Sequence, residues 1–150
     1  MAQIAIRCCA AADRTDALAL LIAQLREHDS QLPDDVIAGA LDGMLARPDR
    51  GAVLVATLDG RAVGIAVLAT MWTLEHGGQA VWLDELYVEP EQRGQGIGSA
   101  LLTAAYATAR EYGAATIDLE VVAGHDRAAV LYEREGFERL PRMRWIRRLG

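Results

Sequence analysis

The residues with the clearest chemical meaning are three glycines set two apart, Gly94, Gly96 and Gly98, directly behind Arg93. They follow the extended-type run Leu86-Tyr87-Val88 and precede the apolar stretch that starts at Ile97. Pro90 closes the run before them because it cannot donate to a ladder. The pattern predicts a strand, a tight turn and a helix. Glycines at the start of a helix leave bare main-chain N–H groups at its positive end, which is an anion site on physical grounds. First helical turns usually carry Asp or Glu, yet no charged residue occurs from Gly94 to Ala109. The positive end is therefore left for a charge from outside the chain, with Arg93 at its lip as a candidate phosphate clamp. The plainer reading is a turn that lets strand and helix pack closely. Two other phosphate motifs do not fit. No Gly-Lys-Ser/Thr occurs, and Ser99 stands where a dinucleotide fingerprint needs its last glycine.

These residues sit in a chain of 150 residues, the size of one domain with its own core. Hydrophobic residues make up 52% and charged residues 24%, which excludes disorder. The net charge of −6 and a pI near 5.0 argue against nucleic acid as a partner. Positive potential for a polyphosphate must then be local, and the acidic remainder would attract a cationic partner. Cys8 and Cys9 are the only cysteines and are adjacent, which is no disulfide framework and points to a reducing compartment. No signal-peptide pattern opens the chain and no apolar run reaches membrane length. The expectation is a soluble, cytoplasmic protein with no membrane partner.

The elements that must hold the turn follow from periodicity. Gln3 to Cys9 alternates and predicts a strand. Asp13 is a cap for a helix to about His28, with Leu18, Leu21, Ile22 and Leu25 on its apolar stripe. Pro33-Asp34-Asp35 opens a second helix that Pro48 stops. Gly51–Leu58 and Arg61–Met71 are strands joined at Asp59-Gly60, a two-residue hairpin signal, and Ala80–Val88 completes an antiparallel meander. After the glycine turn a helix runs to about Tyr112 and Gly113. Thr116–Val122 predicts a strand parallel to the one ending at Val88, because a single helix connects them. Asp126–Glu135 is a short helix and Phe137–Arg148 a last strand. The fold class is α/β (α+β), a mixed sheet with helices on both faces in one domain. Its ligand crevice lies beyond the carboxyl end of the strand before the glycines.

With that order in place, the chain resembles the GNAT superfamily of acetyl-CoA-dependent N-acetyltransferases. Arg93-Gly94-Gln95-Gly96-Ile97-Gly98 is similar to the family's Arg/Gln-x-x-Gly-x-Gly/Ala signature, and Ala128-Ala129-Val130-Leu131-Tyr132-Glu133-Arg134-Glu135-Gly136-Phe137 is similar to its Ala-x-x-Leu-Tyr-x-x-x-Gly-Phe. The resemblance implies a mixed, mostly antiparallel sheet of about six to seven strands. It implies acetyl-CoA as co-substrate and no metal. Backbone groups of Leu86, Tyr87 and Val88 would pair with the pantetheine arm, and the N–H groups of Arg93, Gly94, Gln95, Gly96, Ile97, Gly98 and Ser99 would hold the pyrophosphate. Tyr132 would stand near the sulfur and protonate the departing thiolate. The family usually has Asn seven residues before that tyrosine; here it is His125, which can hydrogen-bond the arm instead.

The reaction so implied joins an amine to a thioester carbonyl. An alkylammonium with a pKa near 10.4 leaves on the order of one molecule in a thousand nucleophilic at pH 7. That deficit is roughly 4 kcal/mol of barrier unless a base removes the proton. Asp84 and Glu85 are best placed, at the strand just ahead of the cofactor segment. As strand neighbours they face opposite sides, so at most one of them points into the site, and both could be surface acids. Asp84-Glu85-Leu86-Tyr87-Val88 also resembles the acidic segment of the spermidine/spermine and thialysine acetyltransferase branch, which favours Asp84. Glu27, Asp29, Asp34 and Asp35 flank the first inter-helix loop, either as helix-end acids or as receivers of a second positive charge on a diamine. His28 and His76 read as surface or helix-end residues. Trp72 and Trp82 wall the acceptor side or sit in the core, and the arginines of the tail read as a solvated strand face. The expected acceptor is a small cationic amine, as in a polyamine, diamine or amino-acid-like substrate. Protein N-termini or lysines are the second acceptor class, and a CoA-sensing module without turnover is the alternative outside enzymes. Many members of the family pair as homodimers, so a dimer is expected.

Overall fold

The computed structural model describes residues 2–150, which fall into two compact units, one up to Glu120 and one of Val121–Gly150. The first holds a five-stranded sheet in the order β1-β2-β3-β4-β5, from β1 (Ile4–Cys8), β2 (Gly51–Leu58), β3 (Arg61–Thr73), β4 (Gly78–Val88) and β5 (Ile117–Asp118). All neighbours are antiparallel except β4 and β5, which run parallel. The parallel pair follows from a single crossover helix, α3 (Ile97–Glu111), between them. Helices α1 (Arg14–Glu27) and α2 (Asp34–Leu45) precede the meander.

The two faces of the sheet are assigned by alternation. Val53, Val55, Ile65, Val67 and Tyr87 cluster with Ala17, Leu20 and Leu21 of α1 and Ile37 and Leu41 of α2. Leu54, Ala56, Ala66 and Leu68 are also buried and alternate with the first set, so they line the opposite face. There α3 packs through Ile97, Leu101, Leu102, Ala105 and Ala109. Gly64 permits the approach: a Cβ there would lie 3.2 Å from Leu101 Cδ1 and 3.1 Å from the Tyr87 carbonyl.

The turns carry the chemistry their residues demand. Asp59 (φ 49°) and Gly60 (φ 84°) give the two positive φ angles of a type I′ hairpin. Three helices end in the same way, with a left-handed residue after the last turn. Gly113 (φ 76°) follows α3, with Ala114 N–H donating to the Ala109 carbonyl. Gly136 follows α4 (Asp126–Arg134) in the second unit. Asp29 (φ 59°) does the same after α1, with Ser30 N–H donating to the Leu25 carbonyl, although it carries a side chain.

Several expectations are corrected. Asp13 stands at the start of α1, but its carboxylate binds Arg7 and the Ala10 N–H, closing a short 3-10 turn ahead of the helix. The most buried stripe of α1 is Ala17, Leu20, Leu21 and Gln24, with Leu18, Ile22 and Leu25 only partly buried beside it. β5 is two residues long, not seven, because its ladder to β4 covers only Val81↔Ile117 and Trp82↔Asp118. No strand is present over 137–148, where Pro141 cannot donate and the chain is exposed. The sheet therefore has five strands, fewer than expected. His76 is not a solvated surface residue: its Nε2 lies 2.9 Å from Asp118 Oδ2 and fastens the β3–β4 turn to β5. No helix among the described residues is long and apolar enough to cross a membrane.

The helix ends give a paired prediction. Asp29→Gly should stabilise the protein by about 0.5–1 kcal/mol, because a left-handed residue with a Cβ is strained. Gly113→Ala should destabilise it by about 1 kcal/mol for the same reason. Thermal unfolding should show shifts of opposite sign, each about 2–4 °C; shifts of equal sign would contradict the assignment of strain.

Candidate active site

The site is built on the open edge of β4. Glu89 N–H donates to the Val63 carbonyl at 2.9 Å, so that position bonds toward β3. By alternation Tyr87, opposite Ile65, also spends its main-chain groups on β3. Leu86 and Val88 turn theirs to the other side. There β5 has already ended, since it pairs only as far as Trp82. A stretch of strand edge is thus available to an extended ligand, presented by Leu86 and by the Val88 N–H, while the Val88 carbonyl accepts from Arg93. Tyr87 instead points its ring into the α1/α2 core, where it is 6% exposed.

Beyond the strand, Pro90–Gln92 form a single 3-10 turn and the chain swings into α3. Gly94 (φ 80°) and Gly96 (φ 83°) both take the left-handed conformation, and Gly96 is the residue on which α3 begins. That requirement, more than side-chain clearance, explains these two glycines, since a Cβ at either would meet nothing within 4 Å. Gly94, Gln95 and Gly96 are exposed, and Gln95 Nε2 donates to Gln92 Oε1 across the turn. Ala100 N–H reaches back to the Gly96 carbonyl at 3.0 Å. The N–H groups of Ile97, Gly98 and Ser99 precede it in the first turn and have no intrahelical acceptor. No acidic residue lies in that turn, and the buried Ile97 side chain anchors it to the sheet.

Arg93 ties this turn to the rest of the unit. Its Nε donates to the Val88 carbonyl at 2.8 Å and its Nη2 to the Glu27 carboxylate at 3.1 Å. Its guanidinium lies 5.4 Å from the centre of the Tyr87 ring. The expected phosphate clamp is thus also a structural knot joining the end of α1, the end of β4 and the glycine turn.

The acidic pair is separated by a β-bulge. Val67 faces Glu85 across the ladder while Leu68 faces Leu83, so Asp84 is the extra residue of the bulge. Bulges re-aim side chains and recur beside active sites. Asp84 is exposed. Glu85 shares a face with Val67 and Tyr87, the side covered by α1, and is half-buried there. Burial pushes its carboxyl up to about 7, partly offset by a hydrogen bond from Gln24, with the neighbouring Asp84 charge adding to the rise. Gln24 is 8% exposed. It was not expected from the sequence; the available signal was a carboxamide at the fourth position of a stripe that otherwise reads Ala17, Leu20, Leu21.

His125 and Tyr132 belong to the second unit. His125 stands at the start of α4, its carbonyl accepting from Ala129 N–H. Tyr132 lies in the last turn of α4 and is partly buried. The Phe137 N–H donates to its carbonyl and the two rings meet edge to face, centroids 5.5 Å apart. Gly136 (φ 93°) makes that chain reversal possible, so Leu-Tyr-x-x-x-Gly-Phe is physically a helix-end motif that fixes the tyrosine backbone.

A parallel pair ending early, an exposed glycine turn at a helix start and a carboxyl pushed up to about 7 are features that suit an extended anionic ligand and a proton acceptor. Residues 15–137 match the model of the acetyltransferase (GNAT) family. An uncharacterized N-acetyltransferase of Mycobacterium tuberculosis is 33% identical over 129 residues, covering 86% of this chain and 80% of that one. The aminoglycoside N(6')-acetyltransferase type 1 of Klebsiella aerogenes is 32% identical over 126 residues, 82% of this chain and 78% of its own. Among solved structures, the aminoglycoside N-acetyltransferase AAC(6')-Iy in complex with CoA superposes with a TM-score of 0.87 over 99% of this chain and 96% of that one, at 20% identity. The chain belongs to the GNAT acetyltransferase family, and its co-substrate is acetyl-CoA.

The turn geometry predicts the effect of Gly96→Ala. A Cβ at φ 83° distorts the first turn of α3, so calorimetric titration should show CoA binding weakened about tenfold, with the circular dichroism of the fold retained. Undiminished affinity would remove the turn from CoA recognition.

Proposed function

We propose that this N-acetyltransferase moves acetyl from acetyl-CoA to the primary amine of a small cationic acceptor by direct attack, with Glu85 as the base. The observation that carries the reading is the bulge at Asp84, which turns Glu85 toward the α1 side of the open β4 edge and half-buries it. A carboxyl at its ordinary 4.5 lies about six pH units below an alkylammonium; one at about 7 lies between three and four below. The difference removes about 3 kcal/mol from the cost of taking the amine proton. Once the proton passes to Glu85, the nitrogen lone pair forms the C–N bond and the thioester C–S bond breaks. The CoA thiolate then takes a proton from the Tyr132 phenol, the role the helix-end motif implies. The N–H groups from Arg93 to Ser99 hold the pyrophosphate, the edge of Leu86 and Val88 holds the pantetheine arm, and His125 takes the place of the usual asparagine beside it.

Position matching within the diamine branch favours Asp84, whereas burial against α1 and the raised proton affinity it brings favour Glu85. The acceptor class rests on the net charge of −6 and on the Klebsiella relative, whose name states an aminoglycoside, a polyamine. The exposed Asp84, Asp29 and Asp35 supply negative potential for such an acceptor.

The pH–rate profile tests the base. Glu85 acts deprotonated, so kcat/KM for the amine should fall as pH drops through about 7. Glu85→Gln should lower the rate about 10²–10³-fold and leave a residual rate that follows the amine's own ionisation. Asp84→Asn should change it less than about threefold. If Asp84→Asn removes the limb and Glu85→Gln does not, the base is misassigned. Tyr132→Phe should lower kcat about 10–100-fold while CoA affinity stays within about twofold; an unaltered kcat would exclude the phenol as acid.

A further inference from the structure

We propose that Gln24 is the positioning residue for proton transfer: its amide N–H donates to the Glu85 carboxylate, ties one oxygen to α1 and leaves the other for the proton of the acceptor amine. The inference rests on the assignment of Glu85 as base and goes beyond it by naming what aims that base. Gln24 occupies the buried stripe of α1 after Ala17, Leu20 and Leu21, where a leucine would pack without cost. A buried amide is unfavourable unless it is hydrogen-bonded, so its place there depends on a polar partner. Glu85 is that partner, brought onto the α1 face by the bulge. Two unusual features, an amide in an apolar stripe and an extra residue in a ladder, thus meet at one hydrogen bond.

The surroundings of Glu85 leave Gln24 as its one polar neighbour of consequence from the helix side. On β4 its charged neighbour is Asp84, exposed and of the same sign. On β3 the residues opposite and beside it are Val67, Ala66 and Leu68. On α2 the residues buried against this face are Ile37 and Leu41. On α1 the charges beyond Gln24 are Arg26, which is bound to Asp34, and Glu27, whose carboxylate is bound by Arg93. The Gln24 hydrogen bond favours the ionised form and opposes the effects of burial and of Asp84. It therefore keeps Glu85 available near neutral pH as well as oriented.

The test is the acidic limb of kcat/KM in Gln24→Met, which keeps the length of the side chain and removes the donor. Loss of the bond should raise the midpoint of the limb by about half to one pH unit. At pH 6 the rate should then fall about three- to tenfold further than it does on the high-pH plateau, with CoA affinity and circular dichroism retained. Gln24→Glu, which replaces the donor with a like charge, should move the midpoint at least as far and gives a second reading if the methionine variant folds poorly. In Glu85→Gln the methionine substitution should produce no further shift. A limb absent from Glu85→Gln yet unmoved in both Gln24 variants, with the rate lowered equally at every pH, would overturn Gln24 while sparing Glu85. A limb that persists in Glu85→Gln would overturn both.

Discussion

One extra residue in the β3–β4 ladder decides which faces of the sheet the end of β4 presents. Were Asp84 paired in a regular ladder, Leu83 and Glu85 would share a face, and Glu85 would lie against the α3 side with Leu68. With the bulge, Leu83 stays on the α3 face and Glu85 crosses to the face of α1 and α2. The same insertion strengthens local twist and bends the strand. β5, paired to β4 just before the bulge, stops at Asp118. An exposed strand edge is ordinarily a liability that invites pairing. Here it is short, and it leads directly into a turn suited to a phosphate-bearing strand-like ligand. The bulge thus sets an open strand edge and a half-buried carboxyl side by side.

The turn depends in turn on a knot of side chains. Arg93 would be a poor phosphate ligand if its whole charge were spent on protein partners. Its Nε and Nη2 do bind Val88 and Glu27, and the Tyr87 ring lies under the guanidinium. What it gives in exchange is position: the carbonyl of the last β4 residue, the last residue of α1 and the entry to α3 are held by one group. Ile97, 1% exposed, locks the next residue into the core. The N–H groups of the first helical turn are therefore presented by a backbone that cannot drift, which is what preorganised anion binding requires.

The parts legible in the sequence were those governed by local chemistry. Asp59-Gly60 can make only a few turns, and it makes the type I′ one. The glycine turn, the meander and the parallel return follow from residue type and from the length of the connection. The unreadable parts depend on partners distant in the chain. A bulge leaves almost no trace in alternation, because one extra polar residue between Leu83 and Leu86 looks like ordinary strand chemistry. The shortness of β5 reflects how little of its ladder to β4 forms, and over 137–148 Pro141 and exposure leave no strand where one was expected. Gln24 drew no notice because the stripe was placed one residue along, on Leu18, Leu21, Ile22 and Leu25 rather than Ala17, Leu20, Leu21 and Gln24.

Electrostatics separates the two substrates physically. A net charge of −6 opposes a polyphosphate at long range, so attraction to the carrier has to act at contact distance. Peptide dipoles do this well, because their partial charges sit at hydrogen-bonding range and the turn carries no acidic side chain to cancel them. An added lysine would raise affinity but would also repel a cationic acceptor approaching the neighbouring carboxyl. A main-chain anion site avoids that conflict. It leaves the acidic surface to draw in the amine, while the half-buried Glu85 is held at a proton affinity between those of the acceptor and of water-exposed carboxylates. From Gly94 to Ala109 the chain carries no charge, so no side chain of that stretch cancels the positive end of α3.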